Sequence, residues 1–212
     1  MSVVFAQLAM SLDGYAAPEG MTMDYWDDPS HHEWGSKWGE LMAWLVGQDH
    51  FRRNLRFDGG GETGPVNDAL LESAARTGAH VLGRRMFDQG ERSWPEEAPY
   101  HTPTFVLTHH AREPWERPGG TTFYFVTEGP ERALELAREA AGDRDVRISG
   151  GANVIQQYLN LGALDEIEVA LAPVLFGGGR RLFENLTGEV PAYRISRVIE
   201  HSSATLVRYV RA

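Results

Sequence analysis

The sequence predicts an α/β fold: a mainly parallel central sheet of about eight strands, helices on both faces, and an antiparallel C-terminal hairpin. Three observations carry this expectation. Strand-like apolar runs alternate with helix-period segments along most of the chain. The first run is apolar almost throughout, the mark of a strand covered on both faces. The last two runs, 193–200 and 204–211, are joined by a short turn around Ser202-Ser203, which pairs them antiparallel.

The elements follow in order. Residues 3–10 form the first strand, and Ser11-Leu12-Asp13-Gly14 breaks it. Residues 20–66 hold Trp26, Trp34, Trp38 and Trp44. Trp38, Leu41, Met42 and Leu45 recur at helical spacing, which predicts a helix over 36–56. Gly59-Gly60-Gly61 and Gly64-Pro65 mark a loop. Asn67 is expected to cap the next helix and Gly78 to end it. His80-Val81-Leu82 reads as a short strand running into Gly83-Arg84-Arg85 and a helical turn. Strands over 104–107 and 122–126 are rich in β-branched and aromatic residues. Pro130 opens a helix whose apolar stripe is Ala133, Leu136, Ala137 and Ala140. Val146-Arg147-Ile148 is a strand, and a helix carrying Ile155 and Leu159 follows, with Gly162 past its end. Ile167, Val169 and Leu171 alternate as a strand does.

The chain has 212 residues, enough for one domain spanning 1–212 with a divergent, aromatic-rich insertion at about 20–66. It contains no cysteine, which excludes disulfides, thiolate nucleophiles and cysteine zinc sites. Met1 to Phe5 has neither a basic region nor a cleavage site, and no apolar run approaches the ~18 residues of a membrane span. A cytoplasmic protein is expected. The net charge of −10 argues against nucleic-acid or membrane-surface partners. It also makes any cluster of basic residues informative.

Three strand ends carry the candidate chemistry. Ile148-Ser149-Gly150-Gly151-Ala152-Asn153 joins a strand to a helix, either as a phosphate cradle at the helix N-terminus or as a plain tight turn. It is not the G-x-G-x-x-G fingerprint. Leu82-Gly83-Arg84-Arg85 offers two guanidiniums to phosphate, or two solvated arginines. Leu107-Thr108-His109-His110, with Arg112 nearby, could hold a 2′-phosphate or be an ordinary polar loop. Together these segments place Gly, Arg, Thr and His where a dinucleotide would lie. His31-His32-Glu33 lacks ligand spacing and a third ligand, so no metal site is expected. The tryptophans serve as core, as a stacking platform or as a dimer contact. Gly177-Gly178-Gly179-Arg180-Arg181 is either a phosphate contact or a bulge and turn.

The order of these motifs resembles the dihydrofolate-reductase-like superfamily, and within it the riboflavin-biosynthesis reductase domain, the C-terminal half of the bifunctional deaminase–reductase. The matching pieces are Ser11-Leu12-Asp13-Gly14, Gly83-Arg84, Gly150-Gly151, Asp165-Glu166-Ile167 and Pro173-Val174-Leu175-Phe176-Gly177-Gly178-Gly179. The resemblance covers nearly all of the chain except about 20–66. It implies a dihydrofolate-reductase-like fold, NADPH as cofactor, and hydride transfer to a C=N or C=O bond of a small heterocyclic substrate. It implies that Leu8, Ala9 and Ser11 line the nicotinamide. Gly83, Arg84 and Arg85 would bind phosphates, with Thr108 and His109 near the 2′-phosphate. Ser149, Gly150, Gly151, Ala152 and Asn153 would take the pyrophosphate, and Asp13 would face the substrate as proton donor or orienting group. The sequence departs from the riboflavin reductases at Ser149, where they usually carry an acidic residue. The pterin-pocket acid of dihydrofolate reductases would fall within the divergent insertion, where Asp24, Asp27, Asp28 and Glu33 lie. Without cysteine there is no zinc-deaminase half. Three functions follow: a 5-amino-6-(5-phosphoribosylamino)uracil-type reductase, a dihydrofolate- or pterin-type reductase of the same fold, and a non-catalytic NADPH-binding module. The antiparallel edge and the aromatic insertion suggest a homodimer.

Overall fold

The computed structural model describes residues 2–21 and 33–212. Trp26, Asp24, Asp27, Asp28, His31 and His32 lie outside the described residues, as does the Glu33 side chain.

A parallel core of six strands sets the architecture. It consists of β1 (Val4–Ser11), β3 (Thr77–Gly83), β4 (Pro103–Leu107), β6 (Thr121–Val126), β7 (Asp145–Gly150) and β8 (Glu166–Ala172). Antiparallel strands close both edges: β5 (Trp115–Arg117) at one, and the hairpin β10 (Tyr193–His201) with β11 (Ala204–Arg211) at the other. The nine-stranded order among the described residues is β10-β11-β8-β1-β7-β3-β4-β6-β5. β1 sits between β7 and β8, with Phe5 opposite Arg147 and Gln7 opposite Glu168. A separate ribbon pairs β2 (Tyr15–Pro18) with β9 (Gly179–Arg181).

On one face, α5 (Pro130–Ala141) and α6 (Ala152–Asn160) bury Ala133, Leu134, Ala137, Ile155, Tyr158 and Leu159 against Val4, Ala6, Val81 and Ile148. On the other, α1 (Glu33–Val46) and α3 (Pro65–Arg76) bury Leu41, Trp44, Val66 and Leu70 against Ala9, Ala170 and Leu206. Near β4 and β6, α4 (Arg84–Ser93) places Phe87 among Leu82, Val106 and Phe123. The α/β expectation therefore holds, with helices on both faces.

Local expectations differ at several points. The helix expected over 36–56 is two: α1 ends at Val46, and α2 (Asp49–Asn54) begins after Gly47-Gln48. The break lets Gly47 and Asp49 exchange backbone hydrogen bonds with Glu62, pinning the following loop. Asn67 does not cap α3. Gly64 stands at the cap, and the Asn67 Oδ1 instead accepts the His50 N–H at 2.8 Å. Gly78 does not end a helix either. It lies inside β3, where a Cβ would meet Ala141 backbone at 2.8 Å, so only glycine lets α5 pack this close.

Candidate active site

The carboxyl ends of β1, β3, β4, β6 and β7 open into one cavity of about 720 Å³. Three helices begin at its wall: α4 after β3, α5 after β6 and α6 after β7. Their N-cap residues are Gly83, Gly129 and Gly151, and none receives a side-chain cap. The first-turn N–H groups of all three therefore keep donor capacity for an anion, and the three dipoles add to it. Gly83 also serves packing, since a Cβ there would lie 2.8 Å from Val154 Cγ2 of α6. Gly150 has φ +111°, and a Cβ would approach Leu8 Cδ2 to 3.3 Å. The Gly150-Gly151 peptide is cis.

Most of the expected residues meet here. Leu8, Ala9, Gly83, Arg84, Arg85, Thr108, His109, Ser149, Gly151, Ala152 and Asn153 all line the cavity. Arg85 donates to the Met21 carbonyl at the mouth, and Arg84 pairs with Asp88 at 2.5 Å. The Thr108 Oγ1 accepts the His110 N–H at 3.1 Å, which fixes the β4 turn. Ser149 Oγ lies 2.8 Å from Nδ1 of buried His80. Burial, with the Arg147 charge second, holds the His80 pKa well below its usual value, so its ring is neutral.

Ser11, Asp13 and Gly150 do not line the cavity. The buried Ser11 hydroxyl donates to Asp13 Oδ1 at 2.6 Å and accepts the Tyr15 N–H at 2.9 Å. Asp13 Oδ2 accepts the Gly177 N–H at 2.7 Å, and the Phe176 N–H lies 3.1 Å from both carboxylate oxygens. The Ser11 hydroxyl, then the Gly177 and Phe176 amides, hold the Asp13 pKa down to about 2. An acid that strong, turned into a loop, carries no proton to donate near neutrality. Asp13 thus ties two loops together, apart from the residues that line the cavity. Ser-Leu-Asp-Gly and Pro-Val-x-x-Gly-Gly-Gly, distant in sequence, form one structural unit. Arg112 is likewise structural: it pairs with Glu91 at 2.8 Å and lies over Phe87, Trp115 and Phe125. Arg181 lies over the Tyr15 ring, 4.6 Å from its centroid, while Arg180 reaches the cavity.

In the second half of the cavity, sequence reasoning left the tryptophans open as core, stacking platform or dimer contact, and missed Gln7 and Arg147. Trp38, Met42, Trp44 and Leu45 of α1 face Gln7 and Arg147 across it. Spacing marked the α1 residues as core. Arg147 gave no signal, because one arginine in Val-Arg-Ile reads as a solvent-facing strand position. No Asp or Glu among the described residues lines the cavity, whereas Arg84, Arg85, Arg147 and Arg180 all do. In a chain of net charge −10 this is a concentrated reversal of sign. The described residues contain no group of three metal-ligating side chains. No helix among them is long and apolar enough to cross a membrane.

Residues 2–206 match the family of RibD C-terminal domains. The chain belongs to that family. Its fold is similar to that of a Shewanella sp. PV-4 protein named for riboflavin biosynthesis, at 22% identity, with TM-score 0.65 and 99% of each chain covered. It is also similar to the Thermotoga maritima diaminohydroxyphosphoribosylaminopyrimidine deaminase/5-amino-6-(5-phosphoribosylamino)uracil reductase, at 15% identity and TM-score 0.58. That match covers all of this chain and 57% of the other. The dihydrofolate reductase of Enterococcus faecalis, solved with NADP(H), matches at 16% identity and TM-score 0.50, covering 99% of this chain and 96% of that one. Among curated proteins, the uncharacterized YwjB of Bacillus subtilis is 30% identical over 88 residues. That stretch spans 42% of this chain and about half, 49%, of the relative. The dihydrofolate-reductase-like expectation for the fold is thereby met.

Proposed function

We propose that this protein is an NADPH-dependent oxidoreductase that reduces a planar heterocyclic acceptor, a reductase of the riboflavin-biosynthesis type in fold and cofactor use. The observation that carries the reading is the convergence of three glycine-capped helix N-termini and three arginines, Arg84, Arg85 and Arg180, on one cavity. The cavity volume suits a ligand of this class. Gly83 and Gly151 line the cavity with Leu8 and Ala9, which fits a flat cofactor ring laid against β1. In this reading the amides opening α6 and α4 hold the pyrophosphate. Arg84, with Thr108 and His109, takes the adenosine 2′-phosphate. Leu8, Ala9 and Ala17 exclude water from the nicotinamide. When bound, NADPH supplies the hydride. The protein's part is to orient the two rings, with Trp38 and Trp44 walling the acceptor side. With Asp13 engaged elsewhere, the proton comes from solvent.

Titration with NADPH and then NADH, followed by quenching of tryptophan fluorescence, tests this. The expected result is saturable NADPH binding at least tenfold tighter than NADH. Absence of binding by either nucleotide would remove the cofactor reading. Tight NADPH binding with no turnover of any pyrimidine or pterin acceptor would instead favour a binding module.

A further inference from the structure

Among the described residues that line the cavity, Arg147 is a charge with no hydrogen bond or ion pair to protein. It stands in the middle of the sheet on β7, between Phe5 of β1 and His80 of β3. It lines the cavity, and its buried Nε has no hydrogen-bond partner. The surrounding acids are all engaged elsewhere. Glu168 accepts from Gln7 at 2.6 Å and from Arg197 and Arg208 at 3.0 Å each. Asp145 and Glu166 pair with Arg76 at 3.3 and 2.6 Å. His80 faces Ser149, and His50 and Tyr100, the remaining titratable neighbours, bring no negative charge: burial pushes the His50 pKa down and the Tyr100 pKa up, so both stay neutral. Arg147 is half-buried: its Nε is closed off from solvent, and the side chain opens onto the cavity with no carboxylate bonded to it.

Two more unpartnered atoms share this wall: the indole Nε1 of Trp44 and the amide Oε1 of Gln7, on side chains 2% and 5% exposed. Gln7 must turn its NH2 toward the Glu168 carboxylate, which leaves its oxygen without a partner. Arg147 and Ser149 therefore bring polar groups to a part of the cavity otherwise walled by Trp38, Met42, Trp44 and Leu45. Arg147 and Ser149 are two apart on one strand and so share a face.

We infer that Arg147, with Ser149 beside it, forms an oxyanion-binding subsite that selects acceptors carrying a carboxylate on a flat ring system. The inference rests on the reductase reading only in calling this ligand the acceptor. A cationic diaminopyrimidine is rejected by the same charge.

The test uses the full chain and calorimetric titration with 2-naphthoate, its neutral isostere 2-naphthamide, and 2,4-diaminopyrimidine, with and without NADPH. Wild type is expected to bind naphthoate at least tenfold tighter than naphthamide, about 1.4 kcal/mol, and the diaminopyrimidine more weakly than either. Arg147→Met should abolish the preference without lowering the melting temperature, because the guanidinium has no protein hydrogen-bond partner to lose. Arg147→Lys should retain part of the preference. Equal binding of acid and amide by wild type, or no binding of either, overturns the assignment. So does an Arg147→Met variant that melts lower or fails to fold, since the arginine is then structural. NADPH is titrated separately. Its failure to bind beside an intact naphthoate preference refutes the reductase reading alone, and the converse refutes only this subsite.

Discussion

Glu168 gives the sharpest test of how the sheet's polar layer is held. Its carboxylate is 4% exposed and accepts from Gln7, Arg197 and Arg208. The two arginines are held from outside by Glu72, at 2.6 Å each, on a side chain 43% exposed. The same guanidiniums thus face one buried and one solvated carboxylate. Glu168→Gln keeps the shape but removes the charge that faces two cations. Breaking a buried pair costs about 3–5 kcal/mol, and the residual hold of Glu72 favours the lower figure, about 3. In a chain of this length each kcal/mol moves the melting temperature by about 2–4 °C, so a fall of about 6–12 °C is expected. Glu72→Gln should cost less than about 1 kcal/mol. Thermal unfolding by circular dichroism, with urea titrations of unchanged slope, reads both. Equal small losses at the two sites would show that water reaches Glu168 and would refute the buried-layer argument.

Further outcomes follow from the same geometry. Asp13 is held ionised, so its contribution to stability is complete above its unfolded value of 3.8 and is lost as pH falls toward about 2. Asp13→Asn should lower the melting temperature and leave the neutral limb of any pH–rate profile in place; loss of that limb would mark it as a catalytic acid. The buried His80 has a folded pKa below the usual 6.5, so the unfolded chain binds the extra proton. Stability should fall as pH drops below 6.5, by up to about 1.4 kcal/mol per unit, and His80→Gln should flatten that slope. Gly83→Ala drives a methyl against Val154 and should cost about 1–3 kcal/mol together with NADPH affinity. Val154→Ala in the same chain should recover much of both, and failure to do so would place the clash elsewhere.

The parallel core was legible because its signal is local. Strand β1 is apolar almost throughout, and Gly83 and Gly151 sit where a strand turns into a helix, so strand ends and their donors could be read from short windows. The ribbon of β2 and β9 was not, because strands of four and three residues carry no periodicity and are held by Asp13 from a distance. β5 is three residues long and escaped for the same reason. The break at Gly47-Gln48 depends on Glu62, fourteen residues from Gln48, so the apolar spacing alone ran two helices into one. Asn67 looks like a cap by type and spends its side chain on His50 instead. Asp13 is more instructive. A polar motif at a strand end suggests chemistry, yet its four acceptor contacts tie loops together.

The two halves of the cavity differ in what recognises the ligand, and this separates what varies from what is fixed. The half built on α4, α5 and α6 uses backbone N–H groups beneath glycine caps, so its chemistry is set by the fold and tolerates change at other positions. The half between α1 and β7 uses side chains alone: Gln7, Trp44, Arg147 and Ser149. A single substitution there changes the sign of the charge presented to a ligand. Ser149 is such a position, being a hydroxyl braced by neutral His80 where an acid would reverse the local field beside Arg147. Ser149→Glu should therefore pair with Arg147, cancel the preference for anionic acceptors and leave NADPH affinity within about threefold, roughly 0.6 kcal/mol. Titration of the naphthoate–naphthamide pair on this variant reads the effect. A retained preference would mean that the residue at 149 and the Arg147 charge act on different parts of the ligand.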